Sequence, residues 1–176
     1  MIVAFDASIL VYLFDENASS PIDEKTGKVV DLCQLRVAHL ITVLQNGKAK
    51  IIIPTPSLAE VLVRAQSGAP ERLKILQESK HFRISAFDQR AAVEFAATQA
   101  GRGSGGFKHA QGARAKAKFD DQIISIAAVE GASKIYSDDK DIFKAAGSKF
   151  EVIGIADLPL PPEDQQIDFL SPNSPR

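Results

Sequence analysis

The first six residues constrain the fold more than any other stretch of the chain. Met1 to Phe5 is an apolar run that leads into a single carboxylate, Asp6. A short apolar run of this kind is typical of a central parallel strand that is buried on both faces. The residues from Ala7 to Tyr12 contain no Gly or Pro that would stop a helix. We therefore predict that Asp6 lies where a central strand passes into a helix, at the sheet edge where α/β proteins bind ligands.

Further short apolar runs alternate with helical patterns along the chain, which favours a parallel sheet with helices on both faces. The expected fold is α/β, with three α/β/α layers and a central parallel sheet of four to five short strands. We assign residues 1–156 to this domain and residues 157–176, which hold five of the nine prolines, to a C-terminal tail. After the first strand, the predicted strands are Lys50–Ile53, Phe82–Ser85, Ile135–Tyr136 and Phe150–Ile153. The predicted helices are Ser8–Phe14, a helix from Val29 to Leu44, Pro54–Arg64, Pro70–Glu78, Asp88–Ala100, Phe119–Glu130 and Asp139–Ala146.

Composition restricts the setting in which the protein works. No apolar run approaches the roughly 20 residues that a membrane span needs, and no basic segment precedes the N-terminal apolar run as in a signal peptide. The single cysteine, Cys33, lies in an apolar helical stretch and is predicted to be a core residue. It excludes an internal disulfide and a cysteine-based zinc site. These features indicate a cytoplasmic protein without a membrane partner.

The charge of the chain is unevenly distributed. The segment from Phe95 to Phe119 contains no acid and carries +5, whereas the whole chain carries −1 and the remainder therefore −6. Within it, residues 101–118 are rich in glycine at the start and are predicted to form an inserted basic loop, although Ala113–Lys118 is alanine-rich enough for a helix. Flexible cationic segments bind phosphates without reading sequence; a solvated loop is an equally good interpretation. The candidate phosphate-contacting residues are Arg102, Lys108, Arg114, Lys116 and Lys118.

Carboxylates recur at four comparable places, each close to the junction of a strand and a helix or at a helix start. Converging carboxylates repel one another unless a cation lies between them. Oxygen ligands select Mg²⁺ or Mn²⁺ over Zn²⁺, and such ions can activate water for attack on a phosphodiester. Taken singly, each acid could instead be a helix cap, and Glu60 could form a capping box with Ser57. The acids are Asp6, Glu60, the pair Asp120 and Asp121, and the group Asp138, Asp139 and Asp141.

Four segments in order resemble the motifs of the PIN-domain nucleases, and most closely the VapC-type toxin ribonucleases of toxin–antitoxin pairs. They are Ile2–Val11, Ile53–Leu62, Lys118–Ala127 and Ile135–Asp141, and the resemblance extends over about residues 1–155. It implies a PIN-like fold with Mg²⁺ or Mn²⁺ held by Asp6, Glu60, Asp120 and Asp139, with a Ser137 hydroxyl beside the substrate. The second-tier ligands are Asp121, Asp138 and Asp141, because the doubled acids leave the register open by one residue.

The resemblance predicts a divalent-metal-dependent endoribonuclease, with RNA as substrate, an antitoxin protein as a possible partner and a homodimer as the assembly. Lys118 and the basic segment would hold the RNA backbone. On this hypothesis, alanine at Asp6 leaves the fold intact and abolishes cleavage. One alternative is a metal-dependent phosphatase that forms an aspartyl-phosphate, although such enzymes place a second Asp where this chain has Ser8. The other is a non-catalytic PIN-like module that binds RNA or protein.

Overall fold

The computed structural model describes residues 1–101 and 111–162, with the side chains of residues 111–115 excepted. A five-stranded parallel sheet forms its centre, in the order β3-β2-β1-β4-β5. The strands are β1 (Ile2–Phe5), β2 (Lys50–Pro54), β3 (Phe82–Ser85), β4 (Lys134–Tyr136) and β5 (Glu151–Ile153). The helices are α1 (Ala7–Phe14), α2 (Cys33–Asn46), α3 (Thr55–Ala65), α4 (Ala69–Glu78), α5 (Gln89–Gly101), α6 (Gln111–Val129) and α7 (Lys140–Ala146).

The helices cover both faces of the sheet, as the apolar strands predicted. Val3 and Phe5 belong to one buried cluster, which also contains residues of α1 to α4, whereas Ala4 belongs to a second cluster with residues of α5, α6 and α7. Likewise, Ile51 and Ile53 belong to the first cluster and Ile52 to the second, because successive side chains of a strand point to opposite faces. The three-layer α/β prediction is confirmed, as are all five strands, and Cys33 is fully buried.

The order in which the chain adds strands to the sheet changes direction at β1, and this switch positions the candidate site. The chain proceeds from β1 through β2 to β3 on one side and then crosses to β4 and β5 on the other. In open parallel sheets the crevice at such a switch point, beyond the carboxyl ends of the strands, is the usual ligand site. Asp6 directly follows β1, and Ser137 to Asp139 directly follow β4.

The basic segment departs from the loop prediction over residues 111–118 and confirms the helical alternative for Ala113–Lys118. Helix α6 begins at Gln111, so residues 111–118 are helical and not part of a loop. Apart from Gln111 and Gly112 this stretch consists of alanine and basic residues, and alanine and long basic residues are strong helix formers. Arg102 and Lys108 lie outside the described residues, as does the side chain of Arg114. Lys116 and Lys118 are therefore fixed to the same rigid helix as Asp120.

Helix α2 also differs, because it begins at Cys33 and not at Val29. Val29 instead forms an isolated antiparallel bridge with Ile22, within a stretch from Asp15 to Leu32 that has no helix. None of the helices that the structure describes is long and apolar enough to cross a bilayer.

Candidate metal centre

Three carboxylates come together beyond the carboxyl ends of β1 and β4. Asp120 on α6, and Asp139 and Asp141 at the start of α7, each contribute one oxygen atom, and these atoms lie within 4.8 Å of one another. Asp120 is 6% exposed. Among the described residues, its Oδ2 atom has no hydrogen-bond donor. A buried carboxylate oxygen without a donor is costly, so the geometry leaves a place for a cation.

The electrostatics of Asp120 reflect this crowding. Burial raises its pKa, the nearby Lys116 ammonium lowers it, and the carboxylates of Asp139, Asp6 and Asp141 raise it again, to about 6. Acids that must share a small space disfavour one another's ionisation. The charge of Asp6 contributes to this shift, but Asp6 is not one of the three acids whose oxygens lie within 4.8 Å of one another.

Asp6 is held in place by three serine hydroxyls. Ser57 donates to its Oδ1 at 3.2 Å, and Ser8 and Ser137 each donate to its Oδ2 at 2.9 Å. The carboxylate also accepts from the Ser8 backbone N–H and caps α1, so the capping interpretation and the convergence interpretation both apply to this residue. Its side chain is almost fully buried. The sequence did not single out Ser8 and Ser57 for this role, although both lie in the first turn of a helix that follows a strand.

Ser137 links Asp6 to Asp139. The Ser137 hydroxyl accepts the backbone N–H of Asp139 at 3.0 Å while it donates to Asp6, and Asp139 in turn caps α7 by accepting from the Asp141 backbone N–H. Ser137 is fully buried. Its hydroxyl connects the acids, and its predicted contact with a substrate stays a prediction.

The two acids of each adjacent pair point in different directions, and this shows which member of each pair joins the cluster. Asp121 is also buried, but its carboxylate accepts a hydrogen bond from Gln99 on α5 at 2.6 Å. Asp138 accepts the backbone N–H of Ile155 at 2.7 Å. A Cβ atom at Gly154 would lie only 2.9 Å from that Asp138 oxygen, so the contact depends on glycine. Asp120 and Asp139 are thus the members of each pair that enter the cluster.

Asp138 is a structural carboxyl in this arrangement. Burial raises its pKa, the Ile155 N–H lowers it, and the charges of Asp6 and Asp157 raise it. Its backbone N–H donates to Ser8. Asp138 therefore connects β4 to the turn after β5 and to the start of α1. By contrast, Asp141 is a member of the three-carboxylate cluster, although the resemblance placed it in the second tier.

Glu60 is not brought into the cluster. It lies on α3, one helical turn beyond Ser57, and its exposed carboxylate pairs with Arg64 at 2.7 Å. Helix α3 packs against α6, so Glu60 is on an element that borders the site. Its predicted role as a ligand stays a prediction.

Lys116 contacts the whole cluster. Its Nζ atom lies 2.6 Å from Asp141, 2.9 Å from Asp139 and 3.6 Å from Asp120. Burial alone would lower the pKa of Lys116, but its hydrogen bonds to Asp141 and Asp139 and the charge of Asp120 raise it overall. The amine is thus held in its charged form. The signal for this contact was present in the sequence as the four-residue spacing between Lys116 and Asp120.

Comparison with known proteins identifies the fold. No protein-family model and no curated protein matches this sequence. Solved structures do match. VapBC2 from Rickettsia felis, bound to a promoter DNA fragment, aligns with a TM-score of 0.58 at 15% identity, over 88% of this chain and 98% of that one. The chain has a VapC-type PIN fold.

Two further structures agree with this fold. DNA-bound VapBC from Salmonella typhimurium has a TM-score of 0.55 at 12% identity, over 88% of this chain and 98% of the other. VapC20 from Mycobacterium tuberculosis, a toxin that cleaves the sarcin–ricin loop, has a TM-score of 0.51 at 12% identity, over 81% of this chain and 94% of the other. At these identities the likeness concerns the PIN fold alone.

Proposed function

We propose that this protein is a divalent-metal-dependent endoribonuclease of the toxin type. The observation that carries the proposal is the buried Asp120 carboxylate, whose Oδ2 atom has no donor among the described residues and faces a cluster of further acids. The PIN fold supports it, because RNA cleavage is the stated activity of VapC20, which shares that fold.

The donor atoms at the site fit Mg²⁺ or Mn²⁺. The cluster offers only carboxylate oxygens, the ligands that these hard cations prefer. Asp120, Asp139 and Asp141 would hold the ion, with Asp6 adjacent and Glu60 as a further candidate from α3. When bound, such an ion supplies a water of lowered pKa and neutralises charge at the scissile phosphate.

The protein's own residues hold the acids in position and attract the RNA backbone. The hydroxyls of Ser8, Ser57 and Ser137 hold the Asp6 carboxylate in one rotamer, which pre-organises the acids before a ligand arrives. Lys116 and Lys118 lie on α6 within one turn of Asp120, where their charges can attract a phosphate backbone. Arg102, Lys108 and Arg114 extend the same basic segment in sequence and are proposed to add to this attraction.

The proposed partners follow from the fold. VapBC complexes are among the structures with this fold, and we propose that this chain likewise binds an antitoxin protein, that it forms a homodimer and that it acts in the cytoplasm. The cluster of acids is a natural target for a basic side chain of an inhibitory partner.

Two alternative functions make different predictions. A phosphatase that forms an aspartyl-phosphate needs a nucleophilic carboxylate oxygen that is free to attack, but both oxygens of Asp6 already accept serine hydroxyls and the residue is 5% exposed. A non-catalytic binding module would bind RNA without cutting it. Cleavage of RNA by the purified protein separates that module from the nuclease.

Purified protein is expected to cleave a mixed RNA pool with Mn²⁺ or Mg²⁺ and to leave it intact with a chelator. Asp139→Asn is expected to lower the rate by about 100-fold, since even residues behind a metal ligand are worth 10- to 100-fold, while Asn retains the capping ability of the position. Fragment yield on a denaturing gel measures both effects.

The matched control for Asp139→Asn is Glu151→Gln. Glu151 begins β5 and pairs with Lys134 at the start of β4. Both therefore lie at the amino-terminal ends of their strands, whereas the acids lie beyond the carboxyl ends, so this variant should cleave at the wild-type rate. Cleavage that persists in chelator, or that is equal in the Asp139 and Glu151 variants, would contradict the proposed function.

A further inference from the structure

The ammonium group of Lys116 lies where a cation would neutralise the acids. It is within 4 Å of Asp120, Asp139 and Asp141 together, the same three residues whose oxygens form the compact cluster. These contacts come from one side chain on α6, one helical turn before Asp120. The most buried acid, Asp120, is its most distant partner and keeps an Oδ2 atom without a hydrogen bond among the described residues.

The ion pairs of Lys116 with the acids can be replaced by another cation. The Lys116 side chain is 51% exposed, so its position is fixed by the acids and not by packing in the core. Ion pairs of such exposed groups are individually weak, each worth at most a few-fold in an equilibrium constant. The backbone of α6 carries both Lys116 and Asp120, so the ammonium can leave the cluster by side-chain rotation alone.

We propose that Lys116 is an internal counter-cation that competes with the divalent ion for the acid cluster. The inference rests on the proposed function, because it takes the cluster to be the ion site. An ammonium brings one positive charge and hydrogen-bond donors, whereas a divalent ion brings two charges and needs the same oxygens as direct ligands. Two cations held by the Asp139 and Asp141 carboxylates would lie close together and repel each other, so loading of the ion is expected to release Lys116.

Release of Lys116 has a consequence for RNA. An ammonium that pairs with three acids is neutralised and attracts phosphate weakly. Once displaced, the same group lies beside the loaded site on α6, free to pair with the substrate backbone. The exchange thus couples occupancy of the ion site to the local positive charge that RNA meets.

Isothermal titration calorimetry with Mn²⁺ alone, on the full-length protein, tests the competition. Lys116→Gln is expected to bind Mn²⁺ about tenfold more tightly than the wild type, because several few-fold ion pairs no longer oppose the ion. Lys118→Gln is the matched control. It removes the same charge two residues further along α6, whereas the ion pairs to the cluster among the described residues all come from Lys116, and it should change the affinity by less than about twofold.

The outcomes separate the two proposals. Equal Mn²⁺ affinity in the wild type and in Lys116→Gln would overturn the competition and leave the nuclease proposal standing. An equal gain in both lysine variants would also overturn it, since the effect would then be general electrostatics. Absence of Mn²⁺ binding in every variant would overturn both proposals. A higher Mn²⁺ affinity in Lys116→Gln than in both the wild type and Lys118→Gln supports the competition.

A second readout follows Lys116 directly. In protein labelled with ¹³C at the lysine ε-carbons, the Lys116 resonance is assigned by its loss in Lys116→Gln. Addition of Mg²⁺ is expected to move it to the position of a solvent-exposed lysine, with the Lys118 resonance as the internal reference. A Lys116 resonance that stays in place while Mg²⁺ saturates the site would overturn the exchange.

Discussion

Replacement of Asp120 by Asn is expected to lower divalent-dependent RNA cleavage by about 100-fold or more, because it removes the charge of the most buried acid in the cluster. The substitution keeps the size of the side chain in a position that is 6% exposed. The initial rate of RNA cleavage in Mn²⁺, at fixed protein concentration, measures the loss.

The same variant is expected to be more stable than the wild type when a chelator is present. The pKa of Asp120 is raised from its ordinary 3.8 to about 6, so the folded protein binds this proton more tightly than the unfolded chain does. Ionisation of Asp120 therefore destabilises the fold above pH 6, by about 3 kcal/mol at most. This penalty is lost as the pH falls from 6 towards 4.

Urea unfolding in chelator at several pH values measures this prediction. The free energy of unfolding of Asp120→Asn should exceed that of the wild type above pH 6, and the difference should shrink towards zero near pH 4. Asp121→Asn is the control, because that neighbouring carboxylate hydrogen-bonds to Gln99. A pH-independent difference for Asp120→Asn, or an Asp121→Asn variant that alone loses cleavage, would contradict the assignment of Asp120 to the site.

Replacement of Asp6 by Ala is expected to cost about 3 kcal/mol in the free energy of unfolding. The change removes the N-cap of α1, worth about 1 kcal/mol. It also leaves the hydroxyls of Ser57 and Ser137, both almost fully buried, without their acceptor, at about 1 kcal/mol or more each. The sequence had led us to expect that this variant keeps its fold intact, and the three serine contacts change that expectation.

Asp6→Asn is the informative partner of Asp6→Ala. It retains an acceptor oxygen and a capping side chain but loses the charge, so it should cost about 1 kcal/mol and still lose cleavage. Urea unfolding of the two variants measures the difference. An Asp6→Ala variant as stable as the wild type would contradict the serine network, and an Asp6→Asn variant with full activity would remove Asp6 from the reaction.

The sheet was predictable from the sequence because its strands are short apolar runs buried on both faces. The alternation of Val3, Ala4 and Phe5 between the two cores requires apolar residues at every position, and such runs stand out. The end of β1 at Asp6 was predictable for the same reason, since a carboxylate cannot continue a buried strand without a partner.

The direction of each paired acid was not predictable from composition. Asp120 and Asp121 are adjacent on a helix, so their side chains point about 100° apart, and either could have faced the site. Packing of α6 against α5 turns Asp121 towards Gln99. For Asp138 and Asp139, the deciding contact is the Ile155 N–H, which comes from a turn distant in sequence.

Lys116 and Ser137 show which contacts residue type alone does not reveal. Lys116 lies in α6, the helical alternative for its stretch, and its spacing from Asp120 indicates that one contact, but not those with Asp139 and Asp141. Ser137 is fully buried and bonded to Asp6, a contact between the ends of β4 and β1 that no local pattern encodes.

The most direct test of the metal centre is X-ray diffraction from crystals of the wild-type protein soaked in Mn²⁺, with data collected near the manganese absorption edge. Binding at this site predicts an anomalous peak about 2 Å from carboxylate oxygens of Asp120 and Asp139, with the Lys116 side chain moved out of the cluster. Full occupancy of an ion elsewhere, or no peak beside Asp120 at millimolar Mn²⁺, would contradict the assignment of these acids as a metal centre.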